Sequence, residues 1–112
     1  MLDLLTQQCS KITDTSLALS DSASEELLQQ LIPRWNLNNQ DKTITYSFDF
    51  KNYYQTIAFV NVVAQIAHQQ DHHPDLLVSY NRCTVTYSTH SVAGLSINDF
   101  ICAAKINAAQ SL

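Results

Sequence analysis

Glycine is almost absent from this chain, with one in 112 residues, beside two prolines and one tryptophan. A single glycine leaves no glycine-rich loop to cradle a phosphate, and two prolines leave no Pro/Gly-rich linker. Charge is scarce as well: Lys and Arg number 6, Asp and Glu 10, and charged residues make up 14%, well below the usual quarter or so. Ser, Thr, Asn and Gln make up the difference. The formal net charge is −4, and the basic residues Lys11, Arg34, Lys42, Lys51, Arg82 and Lys105 are scattered, so no electrostatic footprint for nucleic acid exists. No run approaches the ~20 apolar residues of a membrane helix, and Met1-Leu2-Asp3-Leu4-Leu5 has no basic region of a secretory signal. A cytoplasmic protein without membrane association is expected. The three cysteines, Cys9, Cys83 and Cys102, lie far apart with no C-x-x-C pair, which speaks against a disulfide framework or zinc ribbon. Cys83 and Cys102 fall in apolar patterns and are expected as small core residues.

What is present is a hydrophobic content of 46%, ordinary for one globular domain of this length. Residues 1–20 are polar and weakly periodic, which predicts a loosely ordered arm, with a single domain over 21–112. Ser22 followed by Glu25 reads as a capping box opening a helix through Leu27, Leu28, Leu31 and Ile32, stopped by Pro33. A short extended piece at Trp35–Leu37 and a turn at Asn38–Asp41 lead to strict alternation over 43–50, with Ile44, Tyr46, Phe48 and Phe50 on one face. From 52 to 70 the period becomes helical. Tyr54, Ile57, Ala58, Val62 and Ile66 are expected inwards, while Phe59, Val60 and Val63 widen the apolar surface enough to suggest an oligomer interface. Pro74 disfavours the α conformation at His73 and sets the helix end. Extended runs over 76–80 and 83–89 follow, joined at Asn81-Arg82. Gly94 is expected to supply positive φ in the next loop, and Ser96 with Asp99 forms a capping box for a helix carrying Ile97, Phe100, Ile101, Ala104 and Ala108. The order αββαββα predicts an α+β two-layer domain, a four-stranded antiparallel sheet with helices on one face.

All four histidines, His68, His72, His73 and His90, fall between residues 68 and 90. Two chemistries compete for them. His68 and His72 are four apart near a helix end and with His90 could offer three nitrogens to a metal, although the glutamate of H-E-x-x-H is missing and Pro74 should unwind the pair. The other chemistry is metal-free acid–base catalysis, with one imidazole giving a proton and another taking one near neutral pH.

The spacing His68-x3-His72-His73-Pro74-x5-Tyr80-x9-His90-x8-Asp99 resembles the signature of the pterin-4a-carbinolamine dehydratases. Asp71-His72-His73-Pro74-Asp75, Ser88-Thr89-His90 and Ala93-Gly94-Leu95-Ser96 extend the similarity over roughly residues 22–108, with Trp35 and Phe48-Asp49-Phe50 in the expected places. The resemblance implies dehydration of 4a-hydroxytetrahydropterin to quinonoid dihydropterin, in support of tetrahydrobiopterin recycling, with no cofactor or metal. It implies that His72 and His90 carry the proton transfers and that His73 acts with them, binding and orienting the pterin, with Pro74, Tyr80, Asp99 and His68 also at the substrate site. His68 stands where relatives often carry Glu. Asp99 could orient His90 or contact the pterin, or serve only the capping box. A homo-oligomer, dimer or tetramer, is implied, and an aromatic amino-acid hydroxylase as pathway partner. In some relatives the fold also binds a transcription factor, so an interaction or coactivator module is the alternative from another class.

Overall fold

Helix starts follow the side chains able to satisfy orphan N–H groups. In the computed structural model, which describes residues 3–110, α1 (Asp21–Leu28) is capped by Ser20, whose hydroxyl accepts from the Ala23 N–H. The box expected at Ser22 does not form, because Glu25 turns outwards to Arg34 at 3.4 Å. Asn52 caps α2 (Tyr53–Gln70) by accepting from the Gln55 N–H, and Asp71, left-handed at φ 50°, ends it. The last helix, α3, spans Ile97–Gln110.

Between the helices lie β1 (Asn36–Asn38), β2 (Thr43–Asp49), β3 (Asp75–Val78) and β4 (Arg82–Tyr87), in the sheet order β1-β2-β4-β3, antiparallel throughout. The fold is α+β with the expected αββαββα order; among the described residues, 3-10 turns at Leu4–Thr6 and Thr15–Leu17 precede α1 and one at His90–Val92 lies between β4 and α3. Register puts Ile44 opposite Tyr87 and Phe48 opposite Cys83. That face packs with Phe59 and Val63 of α2 and with Phe100, Ile101, Cys102 and Ile106 of α3. Cys83 and Cys102 are buried there, as the apolar pattern predicts. The opposite face is hydroxylated, with Thr45 bonded to Thr86 at 3.2 Å and Ser47 to Thr84 at 2.8 Å.

Three expectations change. The core-facing residues of α2 are Thr56, Phe59, Val63 and Ala67, whereas Tyr54 is 86% exposed and Val62 42%. A helix apolar on nearly every side has no strong moment to fix its rotation, so packing against the sheet decides it, and the larger Phe59 is taken inwards. Gly94 is not in the left-handed region. That conformation falls to Ala93, at φ 51°. Finally, the described part of the arm is docked. Leu4 is 1% exposed within the core, the Leu19 N–H donates to the Leu95 carbonyl, and Ile12 is buried. Weak periodicity predicts little regular structure, but isolated apolar residues can still seat in grooves left by the helices.

Candidate active site

The site grows from the β3–β4 pairing. Asp75 lies opposite Thr86 at the end of that ladder, and His72 and His73 lead into it from the end of α2. The Tyr87 hydroxyl, donating to the His72 carbonyl at 3.2 Å, ties the two chains together beyond the strand. His72 is half-buried and turns towards Asp99 of α3, whereas His73 is exposed. Pro74, half-buried, keeps this segment extended after the helix.

The His72 ring stacks on Tyr87, with centroids 5.2 Å apart, and its Nε2 lies 2.6 Å from Asp99 Oδ1. Asp99 is fully buried, and its Oδ2 accepts from the Thr89 hydroxyl at 2.8 Å and the Ser96 N–H at 2.9 Å. Three donors thus converge on one carboxylate at the first turn of α3, where the helix dipole also favours negative charge. Burial by itself would lower the His72 pKa, but the hydrogen bond and charge of Asp99 outweigh it and hold the imidazole above its ordinary value. Burial pushes the Tyr87 hydroxyl well above the usual phenol range, so it remains a donor. With Nε2 committed to Asp99, Nδ1 of His72 has no hydrogen-bond partner among the described residues and is not one of the buried polar atoms. It is the nitrogen left for a ligand.

Two clefts flank this centre. One, of about 390 Å³, is lined by His72, Asp71 and Thr89 together with Cys9, Ser10 and Ile12 of the arm. The other, of about 420 Å³, is lined by His90, Asp75, Thr86, Ser88 and Thr89. Thr89 belongs to both. His90 is exposed and opens the 3-10 turn that follows β4.

Of the residues expected at the site, His72 and Asp99 are in direct contact. Asp99 meets His72 rather than His90, and complete burial keeps it from any ligand. His68 is exposed on the last turn of α2. Because Asp71 ends that helix in the left-handed region, the four-residue alignment of His68 with His72 is lost. Among the described residues no cluster of three or more His, Cys, Asp or Glu could hold a metal. Tyr80 lies beyond the far end of β3, 63% exposed, with its ring 6.3 Å from that of Tyr53 and its carbonyl accepting from Thr56. At ~3.3 Å per extended residue, it sits about 20 Å from His73. Thr89 was missed as a functional residue, although its place in the alternation with Cys83, Val85 and Tyr87 would have turned it inwards. Asn98, buried beside Asp99 and bonded to the arm, left no signal in the sequence.

A family model described as pterin 4 alpha carbinolamine dehydratase matches residues 17–109. A Nitrosospira multiformis protein is 53% identical over 105 residues, 94% of this chain and 90% of its own, and a Nitrosomonas eutropha protein is 50% identical over 105 residues, 94% and 91% of the two chains. Both carry the name "Putative pterin-4-alpha-carbinolamine dehydratase". A crystal structure from Brucella melitensis, described as a transcriptional coactivator/pterin dehydratase, matches with a TM-score of 0.76 at 36% identity, covering 81% of this chain and 96% of that one. The fold, at 20% identity and a TM-score of 0.58, also resembles a pterin dehydratase-like protein identified as a RuBisCO assembly factor, over 66% of this chain and 86% of that one.

Proposed function

The chain belongs to the pterin 4 alpha carbinolamine dehydratase family, and on that premise we propose that it dehydrates 4a-hydroxytetrahydropterin by histidine acid–base catalysis, in support of tetrahydrobiopterin recycling in the cytoplasm. The reaction breaks the C4a–O bond and the N5–H bond and forms the N5=C4a double bond. One proton goes to the departing hydroxyl and one leaves N5, so the net product is quinonoid dihydropterin and water. The observation that carries this reading is the His72–Asp99 pair at 2.6 Å, beside a cleft.

A histidine held protonated by a buried carboxylate suits the acid, because the leaving hydroxyl must be protonated as it departs. His72 takes that role through Nδ1. His90 takes the N5 proton, and His73, exposed and next to His72 in the chain, orients the ring. C4a and N5 are bonded to each other, so acid and base must converge from two directions on one place. Thr89 lines both the cleft that holds His72 and the cleft that holds His90. Each proton transfer contributes about 10²–10⁴-fold.

The test is loss of the 4a-hydroxypterin absorbance when the protein is added to a hydroxylase-coupled assay. His72→Ala and His90→Ala should each remove most of the acceleration, by roughly 10²-fold or more. Full activity in the double variant would overturn the acid–base assignment.

An interaction role draws on one observation, the outer stripe of α2, where Tyr54, Ala58 and Val62 recur at four-residue spacing and are exposed. Such a stripe suits a self-complementary helix contact. The occupant we favour is a second copy of this chain.

A further inference from the structure

Two of the three cysteines, 93 residues apart in the chain, meet in the fold. Cys9 of the arm and Cys102 of α3 lie sulfur to sulfur at 3.6 Å, and the Cys9 sulfur is also 3.6 Å from the Asn98 carbonyl. Cys102 is fully buried, whereas Cys9 is half-buried and lines the His72 cleft. Hydrogen bonds hold the arm on both sides of this contact. Gln70 accepts from the Cys9 N–H at 2.8 Å, Asn98 accepts from the Ser10 N–H at 3.2 Å, and Ser91 donates to the Ile12 carbonyl. These ties keep the Cys9 backbone, and with it the sulfur, beside one turn of α3.

We propose that Cys9 and Cys102 form an oxidation site, at which a peroxide converts the two thiols to a disulfide that latches the arm onto α3. The site does not depend on the dehydratase reading, because no residue given a catalytic role reacts in it. Cys9, as thiolate, attacks one oxygen of the peroxide; an S–O bond forms as the O–O bond breaks, and the departing hydroxide takes a proton from solvent to become water. The Cys102 sulfur then attacks the Cys9 sulfur, an S–S bond replaces the S–O bond, and the second hydroxide leaves as water with the Cys102 proton. The two sulfurs give up two electrons and the peroxide takes them. The hydrogen bond from Cys9 holds the Cys102 thiol below its ordinary value, with Tyr87 and the charge of His72 adding to it against burial and Asp99. Passing the remaining proton between the two sulfurs puts the negative charge on Cys9, the member that lines the cleft. Bond formation requires the sulfurs to close from 3.6 Å to about 2.05 Å. The arm supplies that shift, being irregular between its 3-10 turns at Leu4–Thr6 and Thr15–Leu17. A link between residues so distant in sequence restricts the unfolded chain, so the latch also stabilises the fold.

The experiment treats the reduced full chain with hydrogen peroxide. Thiols titrated in denaturant should fall from three to one, the survivor being Cys83, which is buried in the sheet opposite Phe48, and the intact mass should drop by two hydrogens. Trypsin should leave peptide 1–11 joined to peptide 83–105, with fragmentation placing the bond at Cys102 and dithiothreitol releasing it. Oxidation should raise the melting temperature of the wild type by about 5 °C or more. Cys9→Ser, at a half-buried position, should show no such rise and decides the matter if Cys102→Ser fails to fold. Three thiols left intact, Cys9 oxidised to a sulfinic acid with Cys102 still free, or a bond from Cys9 to Cys83 or to a second copy would each overturn the latch.

Discussion

Replacing Asp99 by Asn removes one charge at almost constant shape, and the hydrogen bonds dictate where the new amide turns. Two donors, the Thr89 hydroxyl and the Ser96 N–H, converge on Oδ2 at 2.8 and 2.9 Å, so the amide oxygen must go there and its NH₂ must face His72. That NH₂ can only donate, which forces His72 Nε2 to accept and moves the ring proton to Nδ1. The imidazolium then loses its partner. A hydrogen bond to a charged group contributes about 1.5–3 kcal/mol, and that is the expected fall in urea-unfolding free energy near pH 6, with the helix cap preserved. For activity, losing a general acid's readiness costs about 10²–10⁴-fold in kcat.

The pH dependence gives the sign. Asp99 holds the folded-state pKa of His72 above its unfolded value, so the stabilisation is fully present below the unfolded pKa of ~6.5 and is lost as pH rises through the folded pKa. In Asp99→Asn both contributions of Asp99 are gone, and burial, the largest cause, lowers the pKa against the smaller raising effects of Cys102 and Asp71. This contribution therefore reverses: protonating His72 now destabilises the fold, and stability is lost as pH falls. The alkaline limb of kcat/KM, set by the acid form of His72, should move to lower pH. Unfolding measured across pH 5–9, with a pH–rate profile on the same protein, tests both. A folded Asp99→Asn protein with wild-type kcat and an unmoved alkaline limb would refute the assignment of His72 as an acid held by Asp99.

Three further outcomes follow from the fold. A Cβ at Gly94 would meet the Val92 carbonyl at 3.7 Å and Ala18 Cβ at 3.8 Å, both ordinary contacts, so Gly94→Ala should shift stability by no more than about 0.5 kcal/mol. Ala93→Gly, which relieves a left-handed alanine, should be neutral or stabilising by up to ~1 kcal/mol in chemical denaturation; the opposite ranking would contradict the backbone conformation of this loop. Val62→Glu, placed on the outer stripe of α2, should reduce the mass measured by light scattering while leaving the melting profile of the fold intact, and an unchanged mass would exclude that stripe as the contact between copies.

Much of the fold was legible in the chain because its periods are local. Alternation over 43–50 and the extended run over 83–89 identified two strands, the second of which ends at Tyr87, and Ser96 with Asp99 announced the start of α3. Pro74 marked where the helix must already have ended, although the terminating residue is Asp71. The site was legible as a set of spacings, and those spacings grouped residues that the fold separates. Tyr80 shares the motif but lies at the other end of β3, and His68 shares a helix turn but points to solvent. Burial was harder to read wherever the sequence offered no contrast. Nearly every side of α2 is apolar, so the exposed position of Tyr54 and the buried one of Phe59 had no sequence marker.

The sequence by itself determined the order and type of the elements, because backbone periodicity, capping and proline chemistry act over a few residues. It also concentrated four histidines near one sheet end, where protons could be exchanged. Only the tertiary structure decided which histidine receives the buried carboxylate. His72 and Asp99 are 27 residues apart, and their contact depends on the register of β3 with β4 and on how α3 packs over that edge. The same long-range packing docked the polar arm beside the site, because the partners of its backbone, Gln70, Ser91 and Asn98, come together only once the helices and sheet have closed on each other.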